Sequence, residues 1–345
     1  MSENFVDVVG YQLEKIHTGV IAWLLDSGRS PLPIRDQAQI ARELGAVFPE
    51  GAELETITAT REYSSGRRLL IDLVLELKFK DDRKTYVLIE YKTDSDVRVD
   101  QLNKSEEAFS SKNPGIPYSV TVLALGAGQF TLKHQLPEIL KSGYHALDLI
   151  KVLEIFSNLP IAPACNIYHD WVTSLQAEHA RTENIIDILS NVDNPWHVSL
   201  MDAGYRRGFP IFYLIYDKLR DYLEKGPFQK WAIYSGSHNP VMNWQDGWLP
   251  KSKNINLYWE FNWNALCLKA EIGEATKEHW AEFRPSLIEL CASCPITGRK
   301  TANRRGTWVT AYKWEFNFCK EAPDAIANKV TDILDYVHSR LLTLA

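Results

Sequence analysis

The run Arg68–Lys92, RLLIDLVLELKFKDDRKTYVLIEYK, decides the reading of this chain. Leu69, Ile71, Leu73, Leu75, Leu77 and Phe79 alternate with Arg68, Asp72, Glu76 and Lys78, which is the period of a strand with one apolar face. Asp81, Asp82, Arg83 and Lys84 make a polar turn, and Thr85–Lys92 returns as a second strand, so the run predicts a hairpin. A turn centred near Asp82 sets Asp72 opposite Lys92 and Val74 opposite Glu90, and directly opposed residues share a face. Asp72, Glu90 and Lys92 then emerge together, with the two acids as diagonal neighbours at roughly 7–8 Å.

Leu70, Val74, Tyr86 and Leu88 fall on the same face, so the charged groups rise from an apolar surround. Burying two carboxylates and an ammonium is costly unless they share a partner such as a divalent cation. Mg²⁺ takes hard oxygen ligands, water and substrate phosphates, which suits Asp72 and Glu90. An ammonium beside it offsets negative charge developing on a phosphate, the work open to Lys92. Taken alone the spacing is not specific, because charges alternating on a strand are ordinarily a solvated face.

Working outward, Leu13, Ile16, Val20, Ile21 and Leu24 predict a helix over Tyr11–Asp26, with Glu14 and His17 on one of its faces. A second helix is expected at Arg35–Leu44 and an extended stretch at Leu54–Tyr63. Beyond the hairpin, Val97–Ser111 reads as a helix, and Pro114 and Pro117 lead into the apolar run Tyr118–Leu125. The order is helix, three strands, helix, strand.

Ile71-Asp72-Leu73-Val74-Leu75, then Val87-Leu88-Ile89-Glu90-Tyr91-Lys92, then Gln101-Leu102, resemble the PD-(D/E)XK nuclease superfamily in order and spacing. The resemblance covers about Tyr11–Gly126 and implies an α/β restriction-endonuclease-like core. It implies that Asp72 and Glu90 bind the metal, that Lys92 assists the attacking water, and that Gln101 supports the site. Glu14 stands where many members carry a further acidic ligand or supporting group, which gives Asp72, Glu90 and Glu14 as the expected metal set. Ile71 replaces the family's proline before the aspartate, a position without metal contact. The resemblance also implies Mg²⁺, with Mn²⁺ as a substitute, and nucleic acid, DNA before RNA, as partner.

At 345 residues the chain is long enough for two domains, and the two prolines of Leu159–Pro163 mark the expected boundary, giving 1–160 and 161–345. Nine of the eleven tryptophans lie in the C-terminal half of the chain. There, strands are predicted at Lys230–Ser235, Ile255–Trp263, Ala265–Ile272 and Thr307–Phe316, and helices at Ile211–Leu223, Lys277–Leu290 and Ala325–Leu342, an α+β domain. Trp259 and Trp263 alternate with Ile255, Leu257 and Phe261 as inward residues should, whereas Trp244 and Trp248 flank Asp246-Gly247 as candidates for exposed contacts.

A net charge of -6 requires any nucleic-acid contact to come from local patches. Arg67 and Arg68, together with Arg299, Lys300, Arg304 and Arg305 in a loop between Gly298 and Gly306, are the candidates, with Lys251 and Lys253 as a weaker one. Five cysteines, an odd number, argue against a secreted disulfide scaffold, and a zinc site at Cys291 and Cys294 would need Cys267 and Cys319 beside them. With no secretory signal and no run of about 18 apolar residues, a cytoplasmic protein without a membrane partner is expected. A homodimer stands open.

The expectation is therefore a metal-dependent phosphodiesterase, an endonuclease before an exonuclease, whose setting is bacterial defence against foreign DNA. Its rival is a catalytically inactive nucleic-acid-binding or scaffold protein with a nuclease fold. His17 is expected either to touch the site or to make a structural hydrogen bond, and Glu62 to lie at the surface before it could add a carboxylate.

Overall fold

The central hairpin forms as its alternation requires, with β2 at Leu69–Phe79 and β3 at Lys84–Lys92. The computed structural model describes residues 4–66, 69–190, 210–236, 239–244, 255–273, 277–303, 306–318 and 320–341. They belong to two compact units, Met1–Asn184 and Ile185–Ala345. Among the described residues no helix is long and apolar enough to cross a membrane.

In the first unit α1 (Phe5–Val9), α2 (Glu14–Leu25) and α3 (Ile34–Glu43) precede β1 (Leu54–Gly66) and the hairpin. Then follow α4 (Val99–Lys112), β4 (Tyr118–Ala124), α5 (Gln129–Lys141), β5 (His145–Asp148), α6 (Leu149–Phe156) and α7 (Asn166–Ser190), whose residues up to 184 belong to this unit. The sheet order is β1-β2-β3-β4-β5, antiparallel through β3 and parallel from β3 to β5. Leu73, Leu75, Leu77 and Phe79 pack on one side against residues of α2, α3, α6 and α7, while Val74 and Leu88 pack on the other against Leu102 and Phe109 of α4. This is the expected α/β core of helix, three strands, helix, strand, completed by α5, β5 and α6.

The hairpin register differs from the expectation by two residues. Val74 pairs with Leu88 and Leu73 with Ile89, so Val74 does not oppose Glu90. The cause is a three-residue loop: Asp82 N–H donates to Phe79 O (3.0 Å), Phe79 N–H donates to Arg83 O (3.0 Å), and Asp82 takes φ 64°. A shift of two preserves the face of every side chain, because the strand period is two.

The alternation breaks at Asp72. Ile71 joins the α4-side core although Leu73 lies on the α2 side, and Tyr63 of β1 follows Ile71. Between Tyr63 and Arg61, which pair with Ile71 and Leu73, Glu62 adopts φ 49°. β1 therefore leaves extended geometry at the level of Asp72.

The proline pair near residue 160 lies inside the first unit. The Tyr168 hydroxyl of α7 donates to Phe156 O (2.5 Å) and accepts Leu159 N–H (3.1 Å), and Trp171 and Leu175 enter the same core as α2 and α6. The two compact units divide between residues 184 and 185.

The second unit holds α8 (Ile211–Leu223), β6 (Ala232–Ser235), β7 (Pro240–Trp244), β8 (Asn256–Asn262), β9 (Ala265–Glu271), α9 (Lys277–Ala292), β10 (Arg299–Lys300), β11 (Trp308–Glu315) and α10 (Pro323–Leu341). Its sheet is antiparallel throughout, in the order β10-β11-β9-β8-β7-β6. Trp231, Trp244, Trp259, Trp280 and Trp314 are buried. Trp244 was expected to be exposed in a loop; it ends β7 instead, and its Nε1–H donates to Gln229 O (2.8 Å). Trp248 lies outside the described residues. Trp263 was expected to point inward, but it sits on the β8–β9 turn with φ 55° and is 38% exposed.

His338 of α10 is neutral by construction. Its Nε2 accepts Trp259 Nε1–H (3.0 Å), its ring stacks on Trp244, and burial holds its pKa down at about 4 against 6.5 when free. The folded state thus binds fewer protons than the unfolded chain between these values. Its contribution is complete above pH 6.5 and is lost as pH falls toward 4, on the order of 2 kcal/mol after solvent screening. Urea unfolding followed by tryptophan fluorescence across this range is expected to show that loss, and His338→Gln to flatten it.

Candidate active site

Three neighbouring elements bring Asp72 (β2), Glu90 and Lys92 (β3) and Gln101 (α4) to one corner of the first unit. The β2–β3 ladder ends at Leu73–Ile89, and beyond it the Asp72 side chain continues the pairing: Oδ2 accepts Tyr91 N–H at 2.8 Å. Glu90 Oε1 accepts Lys92 Nζ at 2.8 Å and also the Gln101 Nε2 amide. Glu90 and Lys92 are 4% and 7% exposed, so this ion pair is withdrawn from solvent. Glu90 Oε2 is buried without a hydrogen-bond partner among the described residues.

Burial pushes Glu90 up to about 7, with Lys92 opposing the shift and Asp72 and Glu14 adding to it. Burial also raises Asp72, against the Tyr91 N–H bond and Lys92, while Glu14 and Glu62 raise it further. For Lys92, burial disfavours the ammonium, but Glu90, Glu14 and Asp72 outweigh it and hold its pKa above the usual lysine value. The corner is thus a set of carboxylates crowded around one cation, with more negative charge than that cation neutralises.

Glu14 reaches the corner differently from the expectation. Its Oε1 accepts Thr93 N–H (3.2 Å) and the Ser95 hydroxyl (3.0 Å), tying the start of α2 to the loop after β3. Among the described residues no three acidic, histidine or cysteine side chains are placed to hold one ion, so Glu14 is not gathered with Asp72 and Glu90 into a ligand set. Mg²⁺ requires only one or two carboxylates, completed by water and phosphate oxygens. Asp72 and Glu90 are the carboxylates that would serve such an ion, and Glu90 Oε2 lacks a partner among the described residues.

The loop after β3 is fixed from β4's side by two glycines that sequence reasoning missed. Gly128 N–H donates to Thr93 O (2.7 Å). A Cβ at Gly126 would lie 2.7 Å from Thr93 O, and one at Gly128 would lie 2.8 Å from Ser95 O.

His17 is structural. Trp171 Nε1–H donates to its Nδ1 (3.1 Å), and its Nε2 lies 2.7 Å from Tyr11 O, so both ring nitrogens are engaged in the core. Glu62 is at the surface, paired with Lys15 at 2.8 Å, as expected. Arg299 and Lys300 were expected in a loop; they form β10, where Arg299 pairs with Glu315 at 2.8 Å. Arg67, Arg68, Lys251, Lys253, Arg304 and Arg305 lie outside the described residues, as does Cys319. Cys267, Cys291 and Cys294 are buried free thiols whose pKa values are pushed up by burial, the direction opposite to that of a thiolate ligand.

No curated protein and no solved structure matches the chain. The family model of the PD-(D/E)XK nuclease superfamily matches residues 3–160, a span that contains Glu14, Asp72, Glu90, Lys92 and Gln101. Members of that superfamily are generally nucleases, which suggests a nuclease here. Over residues 3–160 the chain is thus similar to the PD-(D/E)XK nuclease superfamily.

Proposed function

We propose that the protein is a Mg²⁺-dependent endonuclease that hydrolyses phosphodiester bonds, DNA in preference to RNA. The observation that carries this is the buried Glu90–Lys92 pair beside Asp72, with one Glu90 oxygen left without a partner among the described residues. Asp72 and Glu90 are the residues that would hold the ion, and when bound it supplies a more acidic water and neutralises phosphate charge. Lys92, kept charged by three carboxylates, stabilises negative charge that develops on the phosphate, and Gln101 fixes the Glu90 carboxylate that orients it. A cytoplasmic role in defence against foreign DNA belongs to the same proposal and rests on the family alone.

One observation favours the rival, an inactive nucleic-acid-binding or scaffold protein: Asp72, Glu90 and Glu14 each accept hydrogen bonds from the protein's own donors. Purified protein offered supercoiled plasmid and structured RNA in one assay, with Mg²⁺, Mn²⁺ or EDTA, separates the two. Wild type is expected to nick and linearise plasmid with either ion and to stop in EDTA, and Asp72→Ala to lose roughly a hundredfold or more in rate. No cleavage by wild type with either ion on either substrate would favour the rival, and cleavage by Asp72→Ala at the wild-type rate would remove Asp72 from the chemistry.

A further inference from the structure

The helices of the second unit pack against the face of β8 that carries the odd-numbered residues. Trp259 meets His338 of α10, and Phe261 meets Tyr216 of α8. Tyr258, Glu260 and Asn262 therefore occupy the other face. Register adds their neighbours to it: Asn243 opposes Glu260, Lys269 opposes Tyr258, and Tyr234 opposes Val241, which opposes Asn262. A cavity of about 650 Å³ lies here, within the range of small-ligand clefts, and Trp308 lines its rim.

Three features of this cavity narrow its ligand. Trp308 is 56% exposed and stands edge-on to Tyr258, with ring centroids 5.8 Å apart at 83°. A tryptophan face so presented is unusual in a unit whose other described tryptophans, Trp263 excepted, are buried, and it offers a flat apolar surface for stacking. Glu260 is 4% exposed, and Lys269 Nζ lies 2.9 Å from its Oε1. The lysine charge is thus spent inside the protein, and the described lining offers no net positive charge for a phosphate. The Glu260–Lys269 pair, next to and opposite Tyr258, supplies acceptor and donors beside the rings, while Asn262 and Asn243, whose Nδ2 donates to the Tyr234 hydroxyl (3.0 Å), line the far end. Exposed aromatic face, polar edge and cancelled charge together match a planar, uncharged heterocycle with a hydrogen-bonding rim.

We propose that this face of the second unit binds an unpaired nucleobase, stacked on Trp308 and read at its edge by the Glu260–Lys269 pair. The inference rests on the nuclease reading for its choice of ligand and gives that enzyme a preference for substrates with unstacked bases. Base–aromatic stacking tolerates any base, so the site recognises single-strandedness before sequence.

The test is anisotropy titration of a fluorescein-labelled single-stranded DNA oligonucleotide, and of its duplex, with the full chain in EDTA, where no cleavage occurs. Wild type is expected to bind the single strand more tightly than the duplex. Trp308→Ala is expected to weaken single-strand binding about 5- to 100-fold while leaving duplex binding unchanged. Trp308→Phe retains an aromatic face and is expected to keep most of the affinity. Wild-type affinity for the single strand in Trp308→Ala, or no single-strand binding by wild type, overturns the proposal. If wild type cleaves plasmid and Trp308→Ala binds normally, this site fails and the nuclease reading stands. If no polymer is cleaved with any ion yet Trp308→Ala loses single-strand binding, the nuclease reading fails and this site stands.

Discussion

Lys92→Met is expected to lower the rate of plasmid cleavage by about 10²–10³-fold, the usual cost of removing one preorganised donor from a site of developing negative charge. The substitution keeps the chain length of lysine and deletes its ammonium, so the loss reads charge and not volume. It has a second consequence. Glu90 is 4% exposed and, among the described residues, takes its ion pair from Lys92, so methionine leaves a buried carboxylate held there by the Gln101 amide. Breaking a buried pair from one side costs roughly 3–5 kcal/mol. Activity and urea unfolding should therefore fall together in Lys92→Met, whereas the double variant Lys92→Met with Glu90→Gln should recover stability without recovering cleavage. Cleavage by Lys92→Met at the wild-type rate would remove Lys92 from the chemistry.

Trp171→Ala is expected to destabilise the first unit by about 3–5 kcal/mol, a large share of the roughly 5–15 kcal/mol that holds a domain together. Trp171 is fully buried, meets Phe156 edge-on at 5.4 Å, and donates its indole N–H to His17. With Nδ1 accepting that bond, the neutral imidazole carries its proton on Nε2, facing Tyr11 O, and Tyr11 in turn donates its hydroxyl to Leu125 O. Trp171→Phe separates the two contributions: it keeps most of the ring and leaves Nδ1 without its donor, for an expected loss of about 1–3 kcal/mol. Denaturant midpoints of the two variants measure this, and a Trp171→Ala protein as stable as wild type would mean that α7 does not complete the core.

The part of the site that was legible in the sequence was the part governed by parity. Asp72, Glu90 and Lys92 were expected on one face from a register that the structure shifts by two residues; the even slip leaves Glu90 and Lys92 on the expected face, while Asp72, where the alternation breaks, is tied to β3 through Tyr91 N–H. The slip came from the turn, where Asp82 adopts a left-handed conformation that alternation does not reveal. Parity also failed where backbone geometry intervened. Ile71 and Tyr63 changed sides because Glu62 kinks, and Trp263 left the core because the β8–β9 turn claimed it. Gln101 was found through its place at the start of the following helix and does hold Glu90. Glu14 was found too, but its partners, Thr93 and Ser95, come from a loop whose path no pattern announces. The elements α5, β5 and α6 went unread; α5 carries Pro137 within it, and β5 has only four residues.

The close approach of Gly126 and Gly128 to the loop beyond β3 makes two hydrogen atoms part of the machinery. Thr93 and Ser95, whose carbonyls those hydrogens face, are also the residues that grip Glu14, and Thr93 directly follows Lys92. Bulk added at either glycine would be transmitted through a rigid carbonyl into the end of the strand that carries the ammonium. Under the proposed function, change at these uncharged positions is a route by which cleavage is lost while every acid and base of the corner is kept.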